Sequence, residues 1–363
     1  MRTGPDPFTD IATARALACV EARAAAARDD AARRIATVLA RHAPNLPTDV
    51  AARRVREVFT HARVTLNFHP DRFGPRGETV IEGLLREGRY RSQWTTGITN
   101  GSPTAFAGGD REVWEARLFG DAYPPHADGR EASAPERPKY GALNAMGYPE
   151  GASPRFGSCA LVLHPAVLSR CTFTWGDSHL DPAHVGTARL FDGVLAAWLE
   201  AARDGAALGR AIDVPTLLAH DFAATSTSPG RALDDYIEAQ VHGPIDLATD
   251  LDAILVDPSF HGTETGAALL TLGDRAGVPV RAHAGFAMVA RDVPDDFRGP
   301  RMRPLAARIV GEARLDAAAL GRAARSLHTS PATWSDWGTP QETWQHLKQL
   351  WHVLVRFGGP LAP

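Results

Sequence analysis

Residues 234–243 read Asp234-Asp235-Tyr236-Ile237-Glu238-Ala239-Gln240-Val241-His242-Gly243. Side chains alternate between the two faces of a strand, so Glu238, Gln240 and His242 share one face and Ile237, Ala239 and Val241 the other. An acid, an amide and an imidazole on one ridge are costly to bury without partners, which points the ridge at a polar cleft. The competing reading is the solvated face of a half-buried strand. Residues 253–256 read as the next strand, expected to pair with 236–242 and close the sheet. The following segment, Asp257-Pro258-Ser259-Phe260-His261-Gly262-Thr263, is expected at the rim of the same pocket.

Upstream, Val64-Thr65-Leu66-Asn67-Phe68 alternates as a strand and is stopped by His69-Pro70. Polar groups collect at strand ends, so His69 or Arg72 is a candidate to grip an anionic or hydroxyl-rich ligand, against a plain Asp71–Arg72 turn ion pair. Residues 79–87 read as a helix and 89–96 as a polar strand running into a turn at Gly97, Asn100 and Gly101. Arg91 and Ser92 offer donors for phosphate or ribose, unless the segment is only a solvated edge. Neither GxGxxG nor GxxxxGK[ST] occurs, which argues against standard Rossmann and P-loop sites. Tyr140 and Phe156 stand beside glycines and small hydroxyl residues such as Ser158, a pattern suited to a flat platform for a ring or to ordinary core packing. Strands are expected at 159–163, 170–174 and within 278–289, a helix at 188–203 and an exposed loop at 121–139. Residues 9–42 should form one long helix or two shorter ones, and 47–61, 305–326 and 341–356 further helices. The class is therefore α+β, with a mixed, mainly antiparallel sheet in a catalytic-type unit (63–300) between helical segments (1–62 and 301–363).

The 363 residues are 44% hydrophobic and 22% charged, the balance of a folded chain. Lys+Arg 39 against Asp+Glu 42 leaves a formal charge of -3, so nucleic acid is not indicated. Cys19, Cys159 and Cys171 form no CxxC pair, which suits a reducing compartment. Cys159 lies in an apolar strand and reads as a buried thiol rather than a nucleophile served by His242. The start has no signal-peptide pattern and no run approaches the ~20 apolar residues of a membrane span, so a cytoplasmic location without membrane contact is expected. HExxH and GxSxG are missing and no metal is expected, although His69, Asp71, His242 and Asp257 could be assembled from a distance.

Seven segments, LNFHPDR (66–72), YRSQWTTGITNG (90–101), RPKYGAL (137–143), SPRFGSC (153–159), TFTWGDS (172–178), YIEAQVHG (236–243) and DPSFHGT (257–263), resemble a bacterial family defined as a domain of unknown function. Their order is also similar to that of the mono-ADP-ribosyltransferase superfamily. That second resemblance implies an ADP-ribosyltransferase-like split sheet, NAD as substrate and cleavage of its nicotinamide–ribose bond, with a protein acceptor in the transferase case. It implies NAD held by His69 or Arg72, then by Tyr140, Phe156 or Ser158, with Arg72 and Arg91 on the pyrophosphate beside Ser92. Glu238, Gln240 and His242 are the candidate catalytic residues. The superfamily pattern is [E/Q]-x-E with the catalytic acid second, whereas this chain has Glu238-Ala239-Gln240. Either Glu238 is itself catalytic or the site only binds. The other readings are a non-catalytic nucleotide- or protein-binding module and a metal-dependent hydrolase.

Overall fold

Three helices, α1 (Pro7–Ala26), α2 (Arg28–His42) and α3 (Thr48–Arg56), and a short turn of helix over Val58–His61 lead into the sheet. Then come β1 (Val64–Phe68), α4 (Val80–Glu87), α5 (Asp110–Phe119), β2 (Lys139–Leu143), β3 (Cys159–Leu163), β4 (Cys171–Trp175) and β5 (Val185–Thr187). The chain continues with α6 (Asp192–Arg203), β6 (Ile237–Val241), β7 (Leu251–Val256), α7 (Glu264–Ala276) and β8 (Val280–Ala282). It finishes with α8 (Met302–Val310), α9 (Ala317–Thr329) and α10 (Pro340–Phe357). The structure is a computed structural model and describes residues 7–98, 104–123, 136–231 and 233–361. Asn100 and Gly101 of the expected turn, and 124–135 of the expected loop, lie outside the described residues.

The main sheet has the order β8-β7-β3-β1-β2-β6-β4-β5. Every neighbouring pair is antiparallel except β7 and β8, which are parallel. The α+β class and the mainly antiparallel sheet therefore stand. Hydrogen bonding runs along the whole row, but β1 and β2 pair only at Val64–Leu143 and Thr65–Ala142. Beyond Thr65, β1 stays with β3 at Leu66–Leu161, Asn67–Ala160 and Phe68–Cys159, and β2 stays with β6 at Tyr140–Gln240 and Gly141–Ala239. A Cβ on Gly141 would meet the Thr65 carbonyl oxygen at 2.5 Å and Leu66 Cδ2 at 2.6 Å. Glycine is required where the two strands cross this closely before their pairing ends.

Several local expectations change. Segments 236–242 and 253–256 are not a pair, because β2, β1 and β3 lie between β6 and β7; period-2 patterns fix faces, not neighbours. The strand expected over 89–96 is limited to Arg89–Tyr90, which pairs with Ile245–Asp246. Ser92 then starts a helical turn over Gln93–Thr96, and Gly97, at φ 65°, stops it. Helix 305–326 is broken by Gly311 into α8 and α9, and 47–61 breaks at Glu57. Residues 9–42 form two helices.

One apolar core runs from Ala31 in α2 along the sheet face of Leu66, Leu161, Ala239 and Phe173 to Val355 in α10, so α2 and α10 share it, while Ala12, Ala16 and Val20 of α1 pack in a separate cluster with Phe119 and Tyr123. Trp351 is fully buried and donates from Nε1 to the Pro154 carbonyl at 2.7 Å, tying α10 to the segment before β3. Thr339 begins α10 with a capping box to Glu342 and Pro340 at the first helical position. Among the described residues no helix is long and apolar enough to cross a membrane.

Candidate functional site

A cavity of about 740 Å³ lies where β1 and β2 cease to pair. Asn67, His69 and Arg72 line it from the β1 end, Tyr140 and Gly141 from β2, and Glu238 from β6. Arg91, Ser92 and Phe156 also face it. Gln240, His242 and Ser158 do not; they lie behind the wall.

Glu238 sits near the mouth of a hydrogen-bonded chain built across three strands. Its carboxylate accepts from Gln240 Nε2 at 2.8 Å and from the Ser178 backbone N–H at 3.3 Å. Gln240 Nε2 also reaches Thr174 Oγ1 at 3.2 Å, and its carbonyl accepts from Thr172 Oγ1 at 2.7 Å. The Thr172 hydroxyl lies 3.0 Å from His242 Nε2, and Tyr123 OH 2.6 Å from His242 Nδ1. The cross-strand pairs Thr172–Gln240 and Thr174–Glu238 put these groups on one face, as side-chain alternation demands. Gln240 is thus a clamp on Glu238. His242 is wholly buried, edge-on to Phe119 at 4.9 Å, and burial, with Lys139 and Arg170 nearby, lowers its pKa to about 3. The imidazole is therefore neutral and closed off from the cavity.

Burial, followed by the charge of Asp177, pushes Glu238 up to about 8. Asp177 also lines the cavity. Burial acts to raise it, but His179, with Nδ1 at 2.7 Å, and Tyr236, donating at 3.1 Å, hold it below the ordinary carboxylate value. Two carboxyl groups whose surroundings push their pKa values apart can divide acid and base roles. Asp177 lies inside the TFTWGDS segment, just past the strand end, where Tyr236 and His179 hold it.

A third carboxylate, Glu115 of α5, is fully buried beside the cavity. It accepts from Tyr140 OH at 2.9 Å, Arg137 at 2.8 Å and Trp94 Nε1 at 3.3 Å, and burial raises its pKa against the pull of Arg137 and Arg111. Tyr140 is held by this bond, with the Arg111 guanidinium 4.6 Å from its ring centre. Phe156 packs edge-on to Tyr236 at 5.8 Å. Glu115 becomes a site group only through Tyr140, Arg137 and Trp94, which the fold brings to it from outside α5.

At the β1 end, burial and then Arg72 lower His69 to about 3. Its ring stands edge-on to Trp351 at 5.2 Å, with Ser158 Oγ 3.5 Å from Nδ1. The Arg72 guanidinium lies 4.4 Å over Trp344 of α10. Asp71 turns instead toward α9, where a Cβ on Gly321 would fall 1.4 Å from its carboxylate, and burial raises Asp71 to about 7. Asn67 is structural: Nδ2 donates to the Glu150 carbonyl at 2.8 Å and Oδ1 accepts from the Ser153 N–H at 3.2 Å. Arg91 is engaged by Glu87 at 2.9 Å and Glu136 at 3.7 Å.

Asp257 does not reach the cavity. His69, Asp71, His242 and Asp257 do not gather, and among the described residues no group of three His, Cys, Asp or Glu is placed to hold a metal. Burial pushes the Cys159 thiol well up, in keeping with an inert core residue.

Ten Lys and Arg residues but five Asp and Glu line the cavity, although the whole chain is slightly acidic. The class defined by these features is an α+β protein whose mainly antiparallel sheet opens onto a cation-rich cavity holding buried carboxyl groups. Residues 63–357 match the family described as "Protein of unknown function (DUF3626)", and the chain belongs to that family. The match begins just before β1 and ends in α10, so the helices behind Arg72 and His69 belong to the family unit. No curated protein matches the chain.

Proposed function

We propose that the protein cleaves the nicotinamide–ribose bond of NAD, as an ADP-ribosyltransferase or NAD glycohydrolase-like enzyme. One observation carries this reading: Glu238 faces the same cavity as the His69–Arg72 corner of β1 and the ring of Tyr140. The parting of β1 from β2 supports the split-sheet resemblance, and the excess of cations suits a dinucleotide.

In this reading nicotinamide leaves C1′ with the bonding electron pair and the ribose gains oxocarbenium character. Ionised Glu238, clamped by Gln240, holds the ribose hydroxyls and stabilises that charge more in the transition state than in the substrate. Water or an acceptor nucleophile then bonds to C1′, and Asp177, held ionised, accepts the proton it sheds. Tyr140 and Phe156 provide aromatic faces for the nicotinamide. A second reading, binding without turnover, is favoured by the amide at Gln240 in place of the superfamily's acid.

The test is to incubate the purified protein with NAD and measure nicotinamide, with Glu238→Gln alongside. Release that the variant loses supports the enzyme, NAD binding with no release supports the binding module, and neither outcome rejects both.

A further inference from the structure

α10 packs on the core and also supplies a charge to the cavity. Trp344, Lys348 and Trp351 fall at i, i+4 and i+7 and so share one helix face. Arg72 covers Trp344 at 4.4 Å and His69 stands against Trp351 at 5.2 Å, so Lys348 is bracketed by the two residues from the β1 corner. Lys348, Arg72, His69 and Arg155 all line the cavity. Arg155 spends part of its donor set on the Leu233 carbonyl at 2.7 Å and on Asp234. Lys348 forms no ion pair with a carboxylate among the described residues. Burial, then Arg155, Arg72 and Arg298, lowers it to about 8, and Asp177 offsets this only in part. Behind it His352 is buried and neutral and adds no further positive charge.

Converging cations in a half-buried setting repel one another and lose hydration unless an anion joins them. We propose that Lys348, with Arg72 and Arg155, forms a subsite for the phosphoryl oxygens of a nucleoside diphosphate group. Arg72 supplies a planar fork and Lys348 a point charge, the two complementary ways of holding phosphate. Arg91, the other arginine expected at the pyrophosphate, is held by Glu87 and Glu136 and stands aside. The Arg155–Phe156–Tyr236–Asp177 line of contacts joins this subsite to the Glu238 end, so a ribose at Glu238 can continue into phosphate at Lys348. The ribose end rests on the proposed function; the phosphoryl end does not.

Calorimetric titration of the full chain with inorganic pyrophosphate and with ADP-ribose tests the subsite. Lys348→Gln should weaken both on the order of tenfold or more, since one charge-assisted contact is lost. Lys348→Arg should retain most of the affinity, and Arg72→Lys should lose several-fold through loss of the fork. The proposal is overturned if the wild type binds neither probe, or if Lys348→Gln, folded by circular dichroism, binds both as tightly as wild type. Lys348-dependent pyrophosphate binding without nicotinamide release upholds the subsite and removes the NAD reaction. Nicotinamide release whose KM is untouched by Lys348→Gln does the reverse.

Discussion

Glu238 and His242 lie on one face of one strand, either side of Gln240, and meet opposite fates. The Glu238 end opens where β1 and β2 part, and its carboxyl faces a cavity with Asp177 and Tyr140. The His242 end is sealed by Phe119 and Tyr123 from the α5 region, and its imidazole bonds only inward. One hydrogen-bonded row thus presents a carboxyl group to the cavity at one end and seals an imidazole in the interior at the other. Sharing a face places polar groups together; what covers each end decides which of them meets a ligand.

The largest contrast should come from removing the two ends separately. Glu238→Gln should cut nicotinamide release by about 100-fold or more, as loss of a preorganised electrostatic group does, while the melting temperature holds or rises. His242→Ala should do the opposite, costing about 2–4 kcal/mol in denaturant unfolding through a cavity and the loss of the Tyr123 hydroxyl's bond to the imidazole. The folded fraction should keep a rate within a few-fold of wild type. An equal loss of rate in both variants would erase the distinction.

Next in size is the link between them. Gln240→Leu removes the 2.8 Å donor to Glu238 and should lower release by roughly tenfold, with little change in KM, through misplacement of the carboxylate.

The two ends should also govern different limbs of the pH response. Catalysis by ionised Glu238 should rise with pH toward and past about 8. Stability runs the other way on that side: Glu238 keeps its proton in the fold up to about 8 but loses it near 4.5 when unfolded, so its contribution is full below 4.5 and is lost as pH rises to 8. His242, neutral in the fold to about 3 against 6.5 when unfolded, contributes stability above 6.5 that is lost as pH falls toward 3. Urea unfolding across pH 5–9 should show a shallower alkaline decline for Glu238→Gln and a shallower acid decline for His242→Ala.

The smallest effect is expected at Arg91. Because Glu87 and Glu136 already engage it, Arg91→Gln should change NAD binding by about twofold or less; a tenfold loss would return the pyrophosphate to that arginine.

The ridge at 237–241 was legible because period-2 alternation is local, and so was β1, with a polar stop at His69-Pro70. Strand order was not legible, since β6 and β7 follow each other in sequence yet lie four places apart in the sheet. Nor was the role of α10: its Trp344, Leu347, Leu350, Trp351 and Leu354 stripe marks a core helix, and only the contacts of Arg72 with Trp344 and His69 with Trp351 set Lys348 at the cavity. Glu115 and Asp177 became site groups only through partners distant in sequence. The Ser92 and Gly97 signals that turned an expected strand into a helical turn were visible but were outweighed by the run of β-branched and aromatic residues.

The most direct measurement is a crystal structure of the protein soaked with a non-cleavable NAD analogue. The nicotinamide riboside should lie between Tyr140 and Glu238, with its ribose hydroxyls on the Glu238 carboxylate and its chain leading toward Arg72. A ligand bound away from Glu238, or a soaked cavity that stays empty, would contradict it.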